Sequence, residues 1–282
     1  MSDVRTAVVT GANAGVGLEV ARGLVARGAQ VMVWCRDARR GAATATELSA
    51  QGPGTAELIV ADLEDPDAIR AGVQRVFASF GHLDLLVNNA ALYDPRRRVT
   101  VDGLERTFAV NVLGGFRLVH HLRPLLQKAP AARIIALSSR SHAEGRIVFD
   151  DLLKSKRYRA YRQYADSKLA VMLLTRELGR RLQGSGMVTM CVHPGVVGSE
   201  FAQDEPSVLR MLFRFARPWM RTPKKGADTV LWLADHPDPS GFQGAYLADR
   251  KLRRPTAQGQ DDAVAAELWR RCTELAGDLP PW

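Results

Sequence analysis

Short apolar runs recur along the chain, and most are followed by a stretch with helical spacing. Thr6-Ala7-Val8-Val9-Thr10 is the first run, and it ends in a glycine-rich turn. Residues 16–27 then repeat with a helical period, and Gly28 is placed to end that helix. Further strand-like runs cover residues 31–34, 58–60, 83–87, 134–137 and 187–192, with a seventh at 245–247. Continuous apolar strands alternating with helices predict a parallel sheet covered on both faces. The fold class is therefore a doubly wound α/β sheet. Residues 1–282 read as one domain, because no Gly/Ser-rich linker divides them. In such a sheet ligands bind beyond the carboxyl ends of the strands, so chemistry is expected from residues that directly follow strands.

Two stretches depart from the simple pattern. Residues 169–174 are apolar on every side of a predicted helix, which then needs a second cover besides the sheet. Another subunit would supply it, so a homodimer or homotetramer is expected. Residues 200–223 mix bulky apolar and basic side chains irregularly. They read either as a lid over a substrate pocket or as a peripheral helix packed on the sheet.

The formal net charge of +9 admits nucleic acid, an anionic membrane or an anionic cofactor as partner. The basic residues are scattered, however. Their densest clusters, Arg96-Arg97-Arg98 and residues 154–162 and 214–225, lack the aromatic interleaving of an RNA-binding face. They read as solvated surface, and no nucleic-acid partner is expected. No apolar run approaches the ~18 residues that span a bilayer, so no membrane span is predicted. The start of the chain leads straight into a strand, without the basic and apolar regions of a secretory signal. Cys35, Cys191 and Cys272 are few and far apart, which fits reduced thiols in the cytoplasm. His120 and His121 lack a partner set with metal-ligand spacing, so no metal is expected.

The first strand runs into Thr10-Gly11-Ala12-Asn13-Ala14-Gly15-Val16-Gly17. Glycines here allow a sharp turn and let a diphosphate approach the helix N-terminus. The second strand ends in Cys35-Arg36-Asp37. An NAD site usually carries a carboxylate near this point, whereas an arginine accommodates a 2′-phosphate. Cys35 stands where the carboxylate would, and Arg36 can grip phosphate in a forked geometry. NADP(H) is therefore favoured, although Asp37 could neutralise Arg36. Asp62-Leu63 and Asn88-Asn89-Ala90-Ala91 close the third and fourth strands, where adenine and its ribose would lie. The fifth ends in Ser138-Ser139. Tyr164 and Lys168 follow on a helix, four residues apart and so on one face. A nearby ammonium should lower the tyrosine pKa and fit it for acid–base work.

Taken in that order, these motifs resemble the short-chain dehydrogenase/reductase superfamily over nearly the whole chain. Thr10, Gly11, Gly15 and Gly17 meet its cofactor motif in full, and Ala91 departs from its Asn-Asn-Ala-Gly motif. The resemblance implies a Rossmann-type fold in a single domain and a catalytic set of Asn111, Ser139, Tyr164 and Lys168. It implies cofactor contacts from Gly11, Asn13, Ala14, Gly15, Val16, Gly17, Arg36, Asp62, Leu63, Asn89, Ala90, Tyr164 and Lys168. Pro194, Gly195, Val196 and Ser199 would meet the nicotinamide end. Within the superfamily the chain looks most like the retinol-dehydrogenase-like branch. Cys35-Arg36-Asp37, Phe149-Asp150-Asp151-Leu152 and Gly226-Ala227-Asp228-Thr229 carry that likeness. Asn111 is followed by Val112-Leu113-Gly114-Gly115, where that branch often has histidines.

The implied reaction is hydride transfer between NADP(H) and an apolar carbonyl compound or its alcohol. Ser139 would polarise the carbonyl and Tyr164 would move the proton. Lys168 would hold the nicotinamide ribose, and Asn111 would steady a water leading to Lys168. Two rivals keep the fold: non-redox chemistry on a bound cofactor, such as isomerisation or cyclisation, and nucleotide sensing without turnover.

Overall fold

All seven apolar runs form strands in the computed structural model, which describes residues 5–195 and 221–280. They are β1 (Thr6–Thr10), β2 (Gln30–Cys35), β3 (Thr55–Val60), β4 (Leu85–Asn88), β5 (Arg133–Leu137), β6 (Val188–Val192) and β7 (Ala245–Ala248). They pair in parallel in the order β3-β2-β1-β4-β5-β6-β7. A short eighth strand, β8 (Lys251–Leu252), runs antiparallel at the β7 edge. The strand order reverses between β1 and β4, and that switch point opens the crevice in which a doubly wound sheet binds its ligand.

Among the described residues, seven helices and one single helical turn cover the sheet: α1 (Gly15–Val25), α2 (Ala38–Gln51), α3 (Pro66–Ser79), the turn α4 (Arg106–Phe108), α5 (Gly115–Leu126), α6 (Ala160–Arg181), α7 (Pro223–Asp235) and α8 (Asp262–Ala276). Alternate residues of one strand serve opposite cores, as the pleat requires. Ala7, Val9, Val31, Val33, Leu85 and Val87 pack on one face with α1, α2 and α7. Val8, Met32, Trp34, Leu86 and Ile134 pack on the other with α3, α5, α6 and α8. Most strand side chains are thus out of water, which explains the unbroken apolar runs.

The wide apolar surface of α6 has its second cover inside the chain. Helix α8 lies along it, and Trp269 of α8 packs edge-on against Phe116 with ring centroids 4.8 Å apart. The reason for expecting a partner subunit at this helix therefore falls away. Among the described residues no helix is long and apolar enough to cross a membrane.

Candidate active site

The glycine turn after β1 is built by backbone necessity. Gly11 and Gly15 have φ of +63° and +57°, a region that favours glycine. A Cβ on Gly17 would lie 2.4 Å from the Gly11 carbonyl oxygen and 2.4 Å from Asn89 Nδ2. The Thr10 hydroxyl accepts from the N–H groups of Asn89 (3.0 Å) and Ala90 (2.9 Å). Asn89 Nδ2 in turn donates to the Thr10 carbonyl at 2.8 Å and to that of Gly11 at 3.2 Å. The Asn89 side chain thus braces the turn, while Ala90 presents its backbone beside it.

Helix α1 opens directly from this turn, with Asn13 and Ala14 at its mouth. Aspartates cap α2 and α3, but no side chain caps α1, and its first turn carries no acid. Its N–H groups and positive dipole end stay open to an anion. The free N–H groups of Gly15, Val16 and Gly17 form a cradle of the kind that accepts a diphosphate.

At the end of β2 the Cys35 thiol sits beneath the same turn and takes hydrogen bonds from the N–H groups of Ala12 and Asn13. Burial pushes it up to about 11. Arg36 is exposed, and its side chain has no partner among the described residues. Asp37 does not neutralise it. Its carboxylate accepts the Arg40 N–H at 2.9 Å and caps α2. Beyond β3, Asp62 Oδ1 accepts the Glu64 N–H at 3.1 Å, and Leu63 is buried under Gly114.

The expected catalytic residues converge at the carboxyl ends of β4 and β5. Tyr164 is hydrogen-bonded to the Ser139 side chain, and Lys168 Nζ stands 5.7 Å from the Tyr164 ring centre. Lys168 Nζ donates to the Leu137 carbonyl at 3.0 Å. Ser138, the other serine of the pair, donates to the Lys168 carbonyl at 2.8 Å and only secures the helix.

Asn111 lies in a π-helical segment, Ala109–Gly114, that joins α4 to α5. Single π turns inside helices are frequent at functional sites. The Asn111 Oδ1 accepts the Leu92 N–H at 2.7 Å, and its Nδ2 donates to the Leu92 carbonyl (2.9 Å) and to Ser167 Oγ (3.0 Å). It clasps the loop after β4 to the helix carrying Lys168.

One expectation needs correction. Lys168 does not bring the Tyr164 pKa below its ordinary value in the free protein. Burial pushes the Tyr164 hydroxyl up to about 12, and the hydrogen bond with Ser139 only partly opposes it. Burial also pushes Lys168 down to about 8. Both groups have lost water, and desolvation penalises whichever form is charged. At neutral pH the site therefore holds a protonated phenol beside an ammonium.

Pro194 and Gly195 follow β6, with Gly195 at φ +90° and the Arg221 side chain lying over it. Val196, Ser199 and residues 200–220 of the expected lid lie outside the described residues. Arg221 pairs with Asp249.

Further residues support this set, among them His142, which its sequence position after Ser139 marks only as a loop histidine. His142 is buried, and its Nδ1 donates to the Ser139 carbonyl at 2.6 Å. Glu105 is fully buried, accepts the N–H groups of Thr107 and Phe108, and takes the Gln163 amide at 2.6 Å. It ties the turn before Asn111 to the residue before Tyr164. Lys154 Nζ meets Asp166 Oδ2 at 3.0 Å, and Asp166 Oδ1 accepts the Arg146 N–H at 2.7 Å. That pair fastens the loop after β5 to the catalytic turn of α6.

Comparison with known proteins agrees with this geometry. A family model described as short chain dehydrogenase matches residues 5–208. Retinol dehydrogenase 12 from Mus musculus is 39% identical over 274 residues, which cover 97% of this chain and 86% of that protein. An uncharacterised protein from Mycobacterium paratuberculosis superposes with a TM-score of 0.80 at 30% identity, over 99% of this chain and 95% of its own. A short chain dehydrogenase from Burkholderia cenocepacia, solved in complex with NADP, superposes with a TM-score of 0.69 at 28% identity, over 86% and 95%. The chain belongs to the short-chain dehydrogenase family, as a retinol-dehydrogenase-like oxidoreductase that uses a nicotinamide dinucleotide on CH–OH groups.

Proposed function

We propose that the protein is an NADP(H)-dependent enzyme that interconverts an apolar carbonyl compound and its alcohol. The observation that carries this reading is the Ser139–Tyr164 hydrogen bond, with the Lys168 ammonium one helical turn on. The choice of NADP(H) rests on Arg36, exposed at the end of β2 while Asp37 is engaged as a helix cap.

Bound in the cradle of α1, the nicotinamide dinucleotide would supply or accept the hydride. The remaining steps belong to the chain. Ser139 donates a hydrogen bond to the substrate oxygen and aligns it. Tyr164, protonated at neutral pH, gives its proton to the developing alkoxide in reduction and takes it back in oxidation. Lys168 holds positive charge next to the phenol, which stabilises the phenolate left behind. His142 and Asn111 position Ser139 and Lys168. Three buried, unpaired thiols suit a reducing compartment, and we assign the enzyme to the cytoplasm.

The test is NADPH consumption against aldehydes and ketones of rising apolar size, retinal included, with Tyr164→Phe and Arg36→Ala as variants. Tyr164→Phe should lower turnover at least a hundredfold. Arg36→Ala should weaken NADPH far more than NADH. Turnover indifferent to the phenol would remove the redox assignment, and equal losses for both cofactors would remove the NADP(H) assignment.

A further inference from the structure

Beside the catalytic tyrosine the surface opens into a polar cavity of about 460 Å³. Its walls are Tyr93, Asp94, Pro95, Arg96, Arg98 and Arg106. Tyr93 is the partition, since its ring centre lies 6.2 Å from that of Tyr164. The cavity therefore begins where the reacting carbonyl would end.

Its charges are unevenly matched. Asp94 is 2% exposed, and its Oδ2 meets Arg106 Nη1 at 3.3 Å and Arg98 Nε at 3.5 Å. Asp94 Oδ1 accepts the Arg96 N–H at 3.1 Å. Arg106 Nε also meets Glu64 at 2.5 Å. Three guanidiniums thus face two carboxylates. The Arg96 side chain has no partner among the described residues. The fold also gathers two of the basic clusters that looked scattered along the sequence. Arg97 Nε donates to the Lys154 carbonyl at 3.1 Å, and the Tyr158 hydroxyl donates to the Asp94 carbonyl at 2.7 Å. The Arg96-Arg97-Arg98 segment therefore stands beside Lys154 and Tyr158, with the buried Asp94 held beneath it. Focused positive potential of this kind raises the local concentration of anions.

We propose that this cavity receives an anionic group of the substrate, with Arg96 as its principal ligand. The substrate is then a carbonyl compound with an apolar body and a carboxylate or phosphate remote from the reacting carbon. Guanidinium forks bind either group through two parallel hydrogen bonds, which a methyl ester cannot match. Arg98 and Arg106 are held to Asp94, so the cavity is pre-shaped and Arg96 supplies the excess charge. The proposal rests on the carbonyl-reductase reading for its catalytic half only, because anion binding is measurable without turnover.

Two measurements on the full chain separate those halves. The first is calorimetric titration with octanoate, octyl phosphate and methyl octanoate. The wild type should bind one of the anions about tenfold more tightly than the ester, and Arg96→Ala should abolish the difference. A preference for the phosphate over the carboxylate identifies which anion the site takes. The second is the ratio of kcat/KM for suberic semialdehyde to that for its methyl ester, which should exceed ten and fall below one in Arg96→Glu. The loss should lie in KM. Equal binding of anion and ester by the wild type, or an Arg96→Ala variant that keeps the preference, overturns the anion site. Anion-selective binding without any NADPH-dependent turnover leaves the site standing and overturns the reductase reading instead.

Discussion

At the scale of single residues, the chemistry turns on two buried groups pushed in opposite directions. Lys168 is lowered to about 8 by burial, whereas an exposed lysine titrates near 10.5. Between those values the unfolded chain binds a proton that the folded one has released, so this group's contribution to stability grows as pH rises through that window. Ligand binding runs the other way, because the ammonium that would hold the ribose is lost as pH rises through about 8. NADPH affinity, followed by fluorescence titration, should therefore decline roughly tenfold from pH 7 to pH 9. Lys168→Met should bind weakly and show no inflection there. A wild-type profile flat across that range would separate Lys168 from cofactor binding. The proposed catalytic residues were legible because their order along the chain carries the signal: glycines after β1, a serine after β5, tyrosine and lysine on one face of α6. Glu105, Lys154 and Asp166 were not. A charged residue reads as solvated in a sequence, and only tertiary structure brings Lys154 to Asp166, or Gln163 to Glu105.

At the scale of elements, the β1–α1 junction is the least forgiving joint. Gly17 packs against the Gly11 carbonyl and Asn89 so closely that an added methyl must displace backbone, not a mobile side-chain tip. Gly17→Ala should cost about 1–3 kcal/mol of stability by overpacking. It should also weaken NADPH binding more than tenfold, since the turn that cradles the diphosphate must shift. Thermal melts and fluorescence titration would check both. A variant that melts and binds like the wild type would show that the turn has room to spare. The same physics explains which elements could be read. Strands buried on both faces announce themselves as apolar runs, and all seven were found. Their ends were less clear: β3 begins at Thr55 because its exposed Thr55 and Glu57 carry no apolar signal, and β4 begins at Leu85 and not at 83. Strand β8 has two exposed residues and pairs only at the sheet edge, so no pattern marked it. The π segment around Asn111 was equally silent, since its six residues are all buried and share no period with a partner surface.

At the scale of the whole molecule, the closing helix α8 decides whether the core is complete. Residues 169–174 present apolar surface beyond what the sheet can cover, and such a helix must find a second neighbour. Here that neighbour comes from the end of the same chain. Trp269 is 4% exposed, packs against Phe116, stands 5.5 Å from the His120 ring and lies under the Arg181 guanidinium at 4.6 Å. Two further contacts hold the surrounding chain in place. The buried Arg117 donates to the Ala276 carbonyl at 3.3 Å, and His120 Nδ1 lies 3.4 Å from the Pro280 carbonyl. Truncating Trp269 to alanine should therefore leave a cavity between α5, α6 and α8, at a cost of about 3–5 kcal/mol. The loss should appear in urea melts as a lower midpoint. Trp269 contacts the same end of α5 that follows Asn111, so kcat should fall along with stability. Light scattering completes the test: with α8 loosened, the apolar face of α6 is uncovered, and the variant should self-associate at concentrations where the wild type keeps its mass. A variant as stable as the wild type, and of the same mass, would mean that Trp269 is not what seals α8 over α6.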